Sequence, residues 1–201
     1  MTSTIRDIYP ISESKDNIVL EQREKIVGIT NYIESTLSQL ETVKYVVEEE
    51  FYADEAMEML NEDLPDSPVP EDKNLFITDI VRLCSLFWNR TTTARMTIWI
   101  EIVTTDMCRL FHVDNYRERL LCTYKGVGTE WLDHSNVNRK ALGKGNNAAI
   151  VKDLLQINQA KPFEVILIKG AQYGNGEQSV VHRSPQIEEN NETRVLLKIY
   201  E

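Results

Sequence analysis

The sequence predicts an α+β protein in which helices come first and a barrel or jelly roll closes the chain. Apolar residues in the first ninety positions recur at helical spacing, whereas after Arg90 the pattern becomes β-branched and alternating. The charge divides at the same place. Residues 1–91 hold 8 Lys+Arg against 19 Asp+Glu, net −11, and residues 92–201 hold 14 against 13, net +1, which together give the chain's −10. The expected organisation is an acidic, mainly helical part over 1–91 and a β-rich part over 92–201, within one compact unit. A chain of 201 residues is long enough to bury a proper core.

The elements follow in order. Leu20, Ile26, Val27, Ile29, Ile33, Leu37 and Leu40 suit a helix over 18–40, with Asn17 as a candidate cap. A second helix is expected over 46–60. Three prolines at Pro65, Pro68 and Pro70 break it. A third helix is expected over 71–89, its core face including Leu75, Ile77, Ile80, Leu83 and Phe87. Strands are then expected over 96–103, 108–112, 119–124, 163–168, 179–182 and 193–200. Loop and short helix fill 137–157 around Gly143, Gly145 and Asn146.

Several function classes are disfavoured at once. An acidic chain would approach phosphates against its own field, so nucleic acid is a poor partner. No apolar run approaches the roughly 18 residues of a membrane span, and the first residues lack the apolar stretch of a secretory signal. Three cysteines make no disulfide framework, so a reducing, cytoplasmic setting is expected. The stretch Gly143-Lys144-Gly145 is not a phosphate loop. The acidic half permits a basic protein partner without demanding one.

The chemistry rests on few residues. There are three histidines: His112, His134 and His182. His112-Val113-Asp114 is an H-x-D, and in a strand residues i and i+2 point the same way, so both can reach one ion. His182 follows 68 residues after Asp114 on another expected strand. Two histidines and one carboxylate on one face of a metal form the facial triad of non-haem Fe(II) oxygenases. The bland alternative is a surface His112 beside a solvated Asp114. Arg194, 12 residues beyond His182, could hold the far carboxylate of 2-oxoglutarate with its planar fork; Arg183 is a rival. Equally, Arg194 and Lys198 could line the solvent face of the last strand.

Cys108 shares the expected strand face of His112, and Cys122 shares one with Tyr124. Either could complete a zinc site, although no C-x-x-C is present and cysteines more often act as small apolar residues. Tyr124 could donate into a site or simply pack. Trp131 is read as a loop anchor and His134 as solvent-facing. Arg117 and Arg119 could greet an anionic ligand or pair with Glu118 and Asp114.

The string from Cys108 to Leu132 carries Phe111-His112-Val113-Asp114, Arg119-Leu120-Leu121-Cys122-Thr123-Tyr124 and Gly126-Val127-Gly128-Thr129-Glu130-Trp131. Later come Ile168-Lys169-Gly170 and His182-Arg183-Ser184-Pro185. Together these resemble the bacterial domain of unknown function 1826 family, over roughly Ile26 to Tyr200. The layout is similar to that of Fe(II)/2-oxoglutarate dioxygenases. It implies N-terminal helices packed on a C-terminal double-stranded β-helix of jelly-roll or cupin type. It also implies Fe(II) on His112, Asp114 and His182. 2-Oxoglutarate would reach Arg194, Arg183 or Tyr124, with Arg119, Cys122, Cys108 and Trp131 around the pocket. The substrate, a small molecule or peptide, is not legible. A non-catalytic zinc-binding or metal-homeostasis role is the alternative.

Overall fold

The last strand is the hub of the structure. In the computed structural model, which describes residues 17–91 and 94–201, β9 (Arg194–Tyr200) lies between β3 (Arg95–Val103) and β4 (Glu118–Lys125) and runs antiparallel to both. Beyond β4 come β7 (Val165–Lys169) and then β1 (Ile18–Glu21); beyond β3 comes β2 (Val43–Glu48). A smaller antiparallel sheet has the order β6 (Ile157–Gln159), β5 (Glu130–Leu132), β8 (Val181–Arg183). The helices are α1 (Val27–Thr36), α2 (Ala53–Asp63), α3 (Pro70–Arg90) and the single turn α4 (Asn147–Ile150).

Strand alternation decides which residues meet. Val195, Leu197 and Ile199 of β9 join Leu120 and Cys122 of β4 and Ile98 and Ile100 of β3 in one buried cluster. The same cluster takes Ile29 and Ile33 from α1, Leu60 from α2, and Phe76, Ile80 and Phe87 from α3. The other face of the sheet supplies Leu121, Ile166, Ile168 and Leu196, which pack with Trp131 and Val180 of the smaller-sheet side. No helix among the described residues is long and apolar enough to cross a membrane.

The third expected helix is α3. Pro70 sits in its first turn, where the missing N–H costs nothing, with Glu71 and Asp72 beside it and Arg90 in the last turn, as the helix dipole favours. The first two helical readings need correction. Residues 18–21 form a strand against β7, and helix starts only at Val27. Residues 43–48 form a strand against β3, and helix resumes at Ala53. In β2, burial alternates, with Val43, Tyr45 and Val47 half-buried. That period of two is a strand's, and tertiary pairing overrides the helical spacing read across it. The expected strand over 108–112 is irregular except for a single bridge at His112.

One buried polar knot ties these layers together. Arg23, between β1 and α1, forks onto Asp79 of α3, Nη1 to Oδ1 at 2.7 Å and Nη2 to Oδ2 at 3.0 Å. Tyr124 of β4 donates to Asp79 Oδ2 at 2.7 Å, and Arg23 Nε donates to the Phe163 carbonyl at 2.8 Å. Phe163 itself is buried at φ +71°, a left-handed backbone that costs a Cβ-bearing residue about 1–2 kcal/mol. Its N–H, donated to the Thr123 carbonyl at 2.8 Å, helps to hold it there.

Burial works to raise the Asp79 carboxyl, but the Arg23 fork, then Tyr124 and Arg82, outweigh it and hold it below the ordinary range. A lowered carboxyl contributes stability above its unfolded value of about 4, and that stability is lost as pH falls through the folded value. Asp79→Ala should cost about 3–5 kcal/mol, because it leaves Arg23 buried and unpaired; urea unfolding measures this. Asp79→Asn should flatten part of the parent's loss of stability below about pH 4. An acid limb as steep as the parent's would contradict the assignment.

Candidate metal centre

His112 and His182 meet through their backbones. The His112 N–H donates to the His182 carbonyl at 2.9 Å, and the His182 N–H donates back at 3.0 Å. Two residues that exchange both bonds are direct antiparallel partners with side chains on one side; their ring centroids are 4.6 Å apart. Asp114, two residues beyond His112, returns to the same side. Its carbonyl accepts from the Ala171 N–H at 2.8 Å. The turn over 114–117 lies against the end of β7 because Gly170 has no side chain; a Cβ there would collide with the Tyr116 carbonyl.

The ring nitrogens are sorted by their neighbours. His112 Nδ1 lies 2.8 Å from the Leu110 carbonyl and His182 Nδ1 3.3 Å from the Val180 carbonyl. A carbonyl can only accept, so Nδ1 carries the proton and the neutral ring offers its Nε2 lone pair. Both Nε2 atoms turn toward Asp114, at 3.6 Å from Oδ1 for His112 and 3.3 Å from Oδ2 for His182. One ligand atom from each of the three residues falls within 4.8 Å of the others. Asp114 Oδ2 is buried and has no hydrogen-bond donor. Arg119 Nη1 is 2.7 Å away, close enough to pair by charge but not aligned to donate. Two lone pairs converging on an under-satisfied buried carboxylate suit a divalent cation.

Without a metal, protons compete for the same Nε2 atoms, and a ring N–H then donates to the carboxylate. Burial pushes the Asp114 carboxyl up, but the His112 and His182 imidazoles and Arg119 prevail and hold it well below the usual range. Asp114 in turn raises His112.

Asn147 of α4 supports the centre from outside. Its Oδ1 accepts from the Phe111 N–H at 2.8 Å, and its Nδ2 donates to the Arg109 carbonyl at 2.9 Å. These two bonds bracket Leu110, whose carbonyl orients the His112 ring.

A cavity of about 440 Å³ opens on the side of the centre facing the larger sheet. Trp99 and Glu101 of β3, Arg119 and Leu121 of β4, and Leu196 and Lys198 of β9 line it. Lys198 Nζ pairs with Glu101 at 2.7 Å and lies over the Trp99 ring. Arg194 shares a face of β9 with Leu196 and Lys198 but is fully buried behind the cavity lining, and it has no ion pair among the described residues. It donates to the hydroxyls of Ser184 and Thr123 at 3.3 Å and Thr129 at 3.5 Å, and its Nε has no acceptor. Burial pulls its guanidinium down to about 10, so it remains a cation at neutral pH. Gly126, at φ +82°, makes room for its stem.

The expected residues therefore divide. His112, Asp114 and His182 come together, and Arg119 and Cys108 line the cavity. Cys108 is exposed, and its sulfur is outside the ligand group. Arg183 also reaches the cavity, but its Nε is bonded to Glu130 and its guanidinium lies over Phe111. Tyr124 and Cys122 do not reach it. In β4, Arg119, Leu121 and Thr123 point to the cavity side, and Leu120, Cys122 and Tyr124 point to the helices. Cys122 instead lies beneath Arg23, Sγ to Nη2 at 3.5 Å. Trp131 belongs to β5 and packs between the sheets, outside the cavity lining. His134 is exposed, in a short turn over 134–136. Reasoning from sequence missed Trp99, Glu101 and Asn147. The first two alternate with Ile98, Ile100 and Ile102, a signal that was present; Asn147 has none.

A family described as "Protein of unknown function (DUF1826)" matches residues 2–199. No curated protein matches the chain. Among solved structures, it is similar to the selenomethionine-labelled Fe(II)/α-ketoglutarate-dependent dioxygenase TqaL. That match has 9% identity, covers 92% of this chain and 81% of that one, and has a TM-score of 0.46. A Pseudomonas putida prolyl-4-hydroxylase matches at 11% identity over 90% and 97% of the two chains, with a TM-score of 0.33. A bsmA homolog from Methylobium petroleophilum PM1 matches at 15% identity over 69% and 54%, with a TM-score of 0.33.

Calorimetric titration with a divalent metal should give one site in the parent and none in His182→Ala. Asn147→Ala should bind about 10–100-fold more weakly, as loss of a partner that orients a ligand does. Parent-like affinity in Asn147→Ala would mean that the His112 ring is held without it.

Proposed function

The chain belongs to the DUF1826 family of proteins of unknown function, and we propose that it is an Fe(II)- and 2-oxoglutarate-dependent oxygenase built on a double-stranded β-helix. The observation that carries this reading is the one-sided centre: three ligand atoms within 4.8 Å of one another beside an open cavity. Arg194 supports the cosubstrate assignment. A buried cation with only hydroxyl partners is costly, and a carboxylate in the cavity would relieve that cost.

The residues then have distinct tasks. His112 and His182 hold the metal through Nε2, and Asp114 neutralises one of its charges. All three bind from one side, which leaves the cavity side for other ligands. Bound Fe(II), with 2-oxoglutarate and oxygen, supplies the oxidising power for attack on a C–H bond. Arg194 receives the distal carboxylate of 2-oxoglutarate in its fork, with the Thr129 and Ser184 hydroxyls beside it. Leu121 and Leu196 keep water from the wall between Arg194 and the metal.

The zinc-storage alternative has little support. A closed zinc site would take a fourth protein ligand, commonly sulfur. Cys122 faces the helices, and Cys108 is outside the ligand group.

Under anaerobic conditions, Fe(II) followed by 2-oxoglutarate should produce a weak visible charge-transfer band that is absent in His182→Ala. Arg194→Gln should bind Fe(II) as the parent does but 2-oxoglutarate about 10–100-fold more weakly, the loss expected for a charge-assisted pair. Tight zinc binding with no band from Fe(II) and 2-oxoglutarate would overturn the reading.

A further inference from the structure

The cavity, together with the buried Arg194 behind its lining, holds one more cation than the oxygenase assembly can neutralise. Lys198 is paired with Glu101 and Arg183 with Glu130, so these four charges cancel. Asp114, Arg119 and Arg194 remain, a net of +1. A divalent metal and doubly charged 2-oxoglutarate add equal and opposite charge, so the loaded cavity also stands at +1. The cosubstrate meets Arg194, and the metal claims the Asp114 carboxylate. Arg119, 2.7 Å from the same carboxylate, is left to share it with the metal and so carries the surplus.

Arg119 is built to stay where it is. Its guanidinium carbon lies 4.6 Å from the Tyr116 ring centroid and 5.0 Å from that of Tyr200, and the two rings lie 4.4 Å apart. These contacts hold the fork in the cavity wall and leave it little freedom to swing out to solvent. Its side chain is 13% exposed, and its buried Nε has no acceptor. Arg119 pairs in register with Tyr200, at the opposite end of β9 from Arg194. The two arginines thus lie toward opposite ends of one sheet face, with Arg119 in the cavity lining beside the metal ligands.

We propose that the primary substrate is a small monocarboxylate, docked through its carboxylate on Arg119. This rests on the oxygenase reading. A monoanion cancels the surplus, whereas a dianionic phosphate would overshoot it. A planar carboxylate also matches the edge of a guanidinium. The rest of the lining mixes Trp99, Leu121, Leu196 and Met107 with Asn115, Thr129 and Ser184, so the body of the substrate is partly apolar. A cavity of about 440 Å³ is of small-molecule size.

The test uses protein loaded with Zn(II) and 2-oxoglutarate, which binds without turnover. Acetate, butyrate, benzoate and 3-phenylpropionate, each beside its primary amide and with phenylphosphonate as a further arm, are screened by ligand-observed NMR. At least one acid should bind while its amide does not. Arg119→Gln should weaken that acid about 10–100-fold while Zn(II) and 2-oxoglutarate still bind, and Arg119→Lys should recover part of the loss. The proposal is overturned if no acid binds the parent, if amides or phenylphosphonate bind as well as the acids, or if the acids ignore Arg119→Gln. Loss of 2-oxoglutarate in Arg119→Gln would make Arg119 a cosubstrate anchor, and loss of Zn(II) would make it only a brace for Asp114; either also overturns the proposal. Failure of the parent itself to take up Zn(II) or 2-oxoglutarate would instead bring down the oxygenase reading, and this inference with it.

Discussion

β9 is covered on both faces, and much else follows from that constraint. A strand in this position must divide its side chains between two buried environments. Val195, Leu197 and Ile199 go to the helices. Arg194, Leu196, Lys198 and Tyr200 go to the other side, where polar groups have to find partners within the protein or in a ligand. The neighbours obey the same alternation: β4 sends Arg119 and Thr123 one way and Cys122 and Tyr124 the other. One face of the sheet becomes a core and the other a site, and helices on the core face leave the site face free to be hollow.

The candidate metal centre depends on backbone as much as on side chains. His112 comes from an irregular segment, and a loop residue is ordinarily a poor place for a ligand that must be held to fractions of an ångström. Here the two-way bond with His182 gives it the precision of a strand. Gly170 lets the turn after Asp114 lie flat against β7, and Asn147 brackets the peptide that orients the ring. Each device acts on the main chain. That explains how a short H-x-D run with no strand of its own presents two ligands in register.

What was legible in the sequence follows from the range of the interaction. The H-x-D pair and α3 rest on local spacing, so they could be read. His182 and Arg194 could be read because late β-branched runs mark their strands. β1 and β2 could not. Both are short edge strands whose pairing partners lie far off in sequence, 146 residues away for Leu20↔Ile166 and 57 for Val43↔Ile100. The assignment of Cys122 and Tyr124 to the pocket was a different kind of error. Arg119 and Tyr124 differ by an odd number of positions, so one strand cannot send both to the same cavity. Asn147 lies 36 and 38 residues from the peptides it holds and leaves no mark in local composition.

The protein buries arginine in two ways, and the contrast separates structure from site. Arg23 is met by a bidentate carboxylate, a tyrosine-supported one, and by a carbonyl. That is how a fold tolerates a buried cation, since the pair cancels its charge and fills its hydrogen bonds. Arg194 is buried at least as deeply, yet it meets only hydroxyls and leaves its Nε without an acceptor. Packing alone does not call for this, because an apolar residue there would avoid the desolvation cost altogether. The cost makes physical sense if an anion from solution completes the pair. The helix-facing knot is neutral within itself and serves stability, whereas the cation on the other face is left incomplete, as the proposed anion site requires.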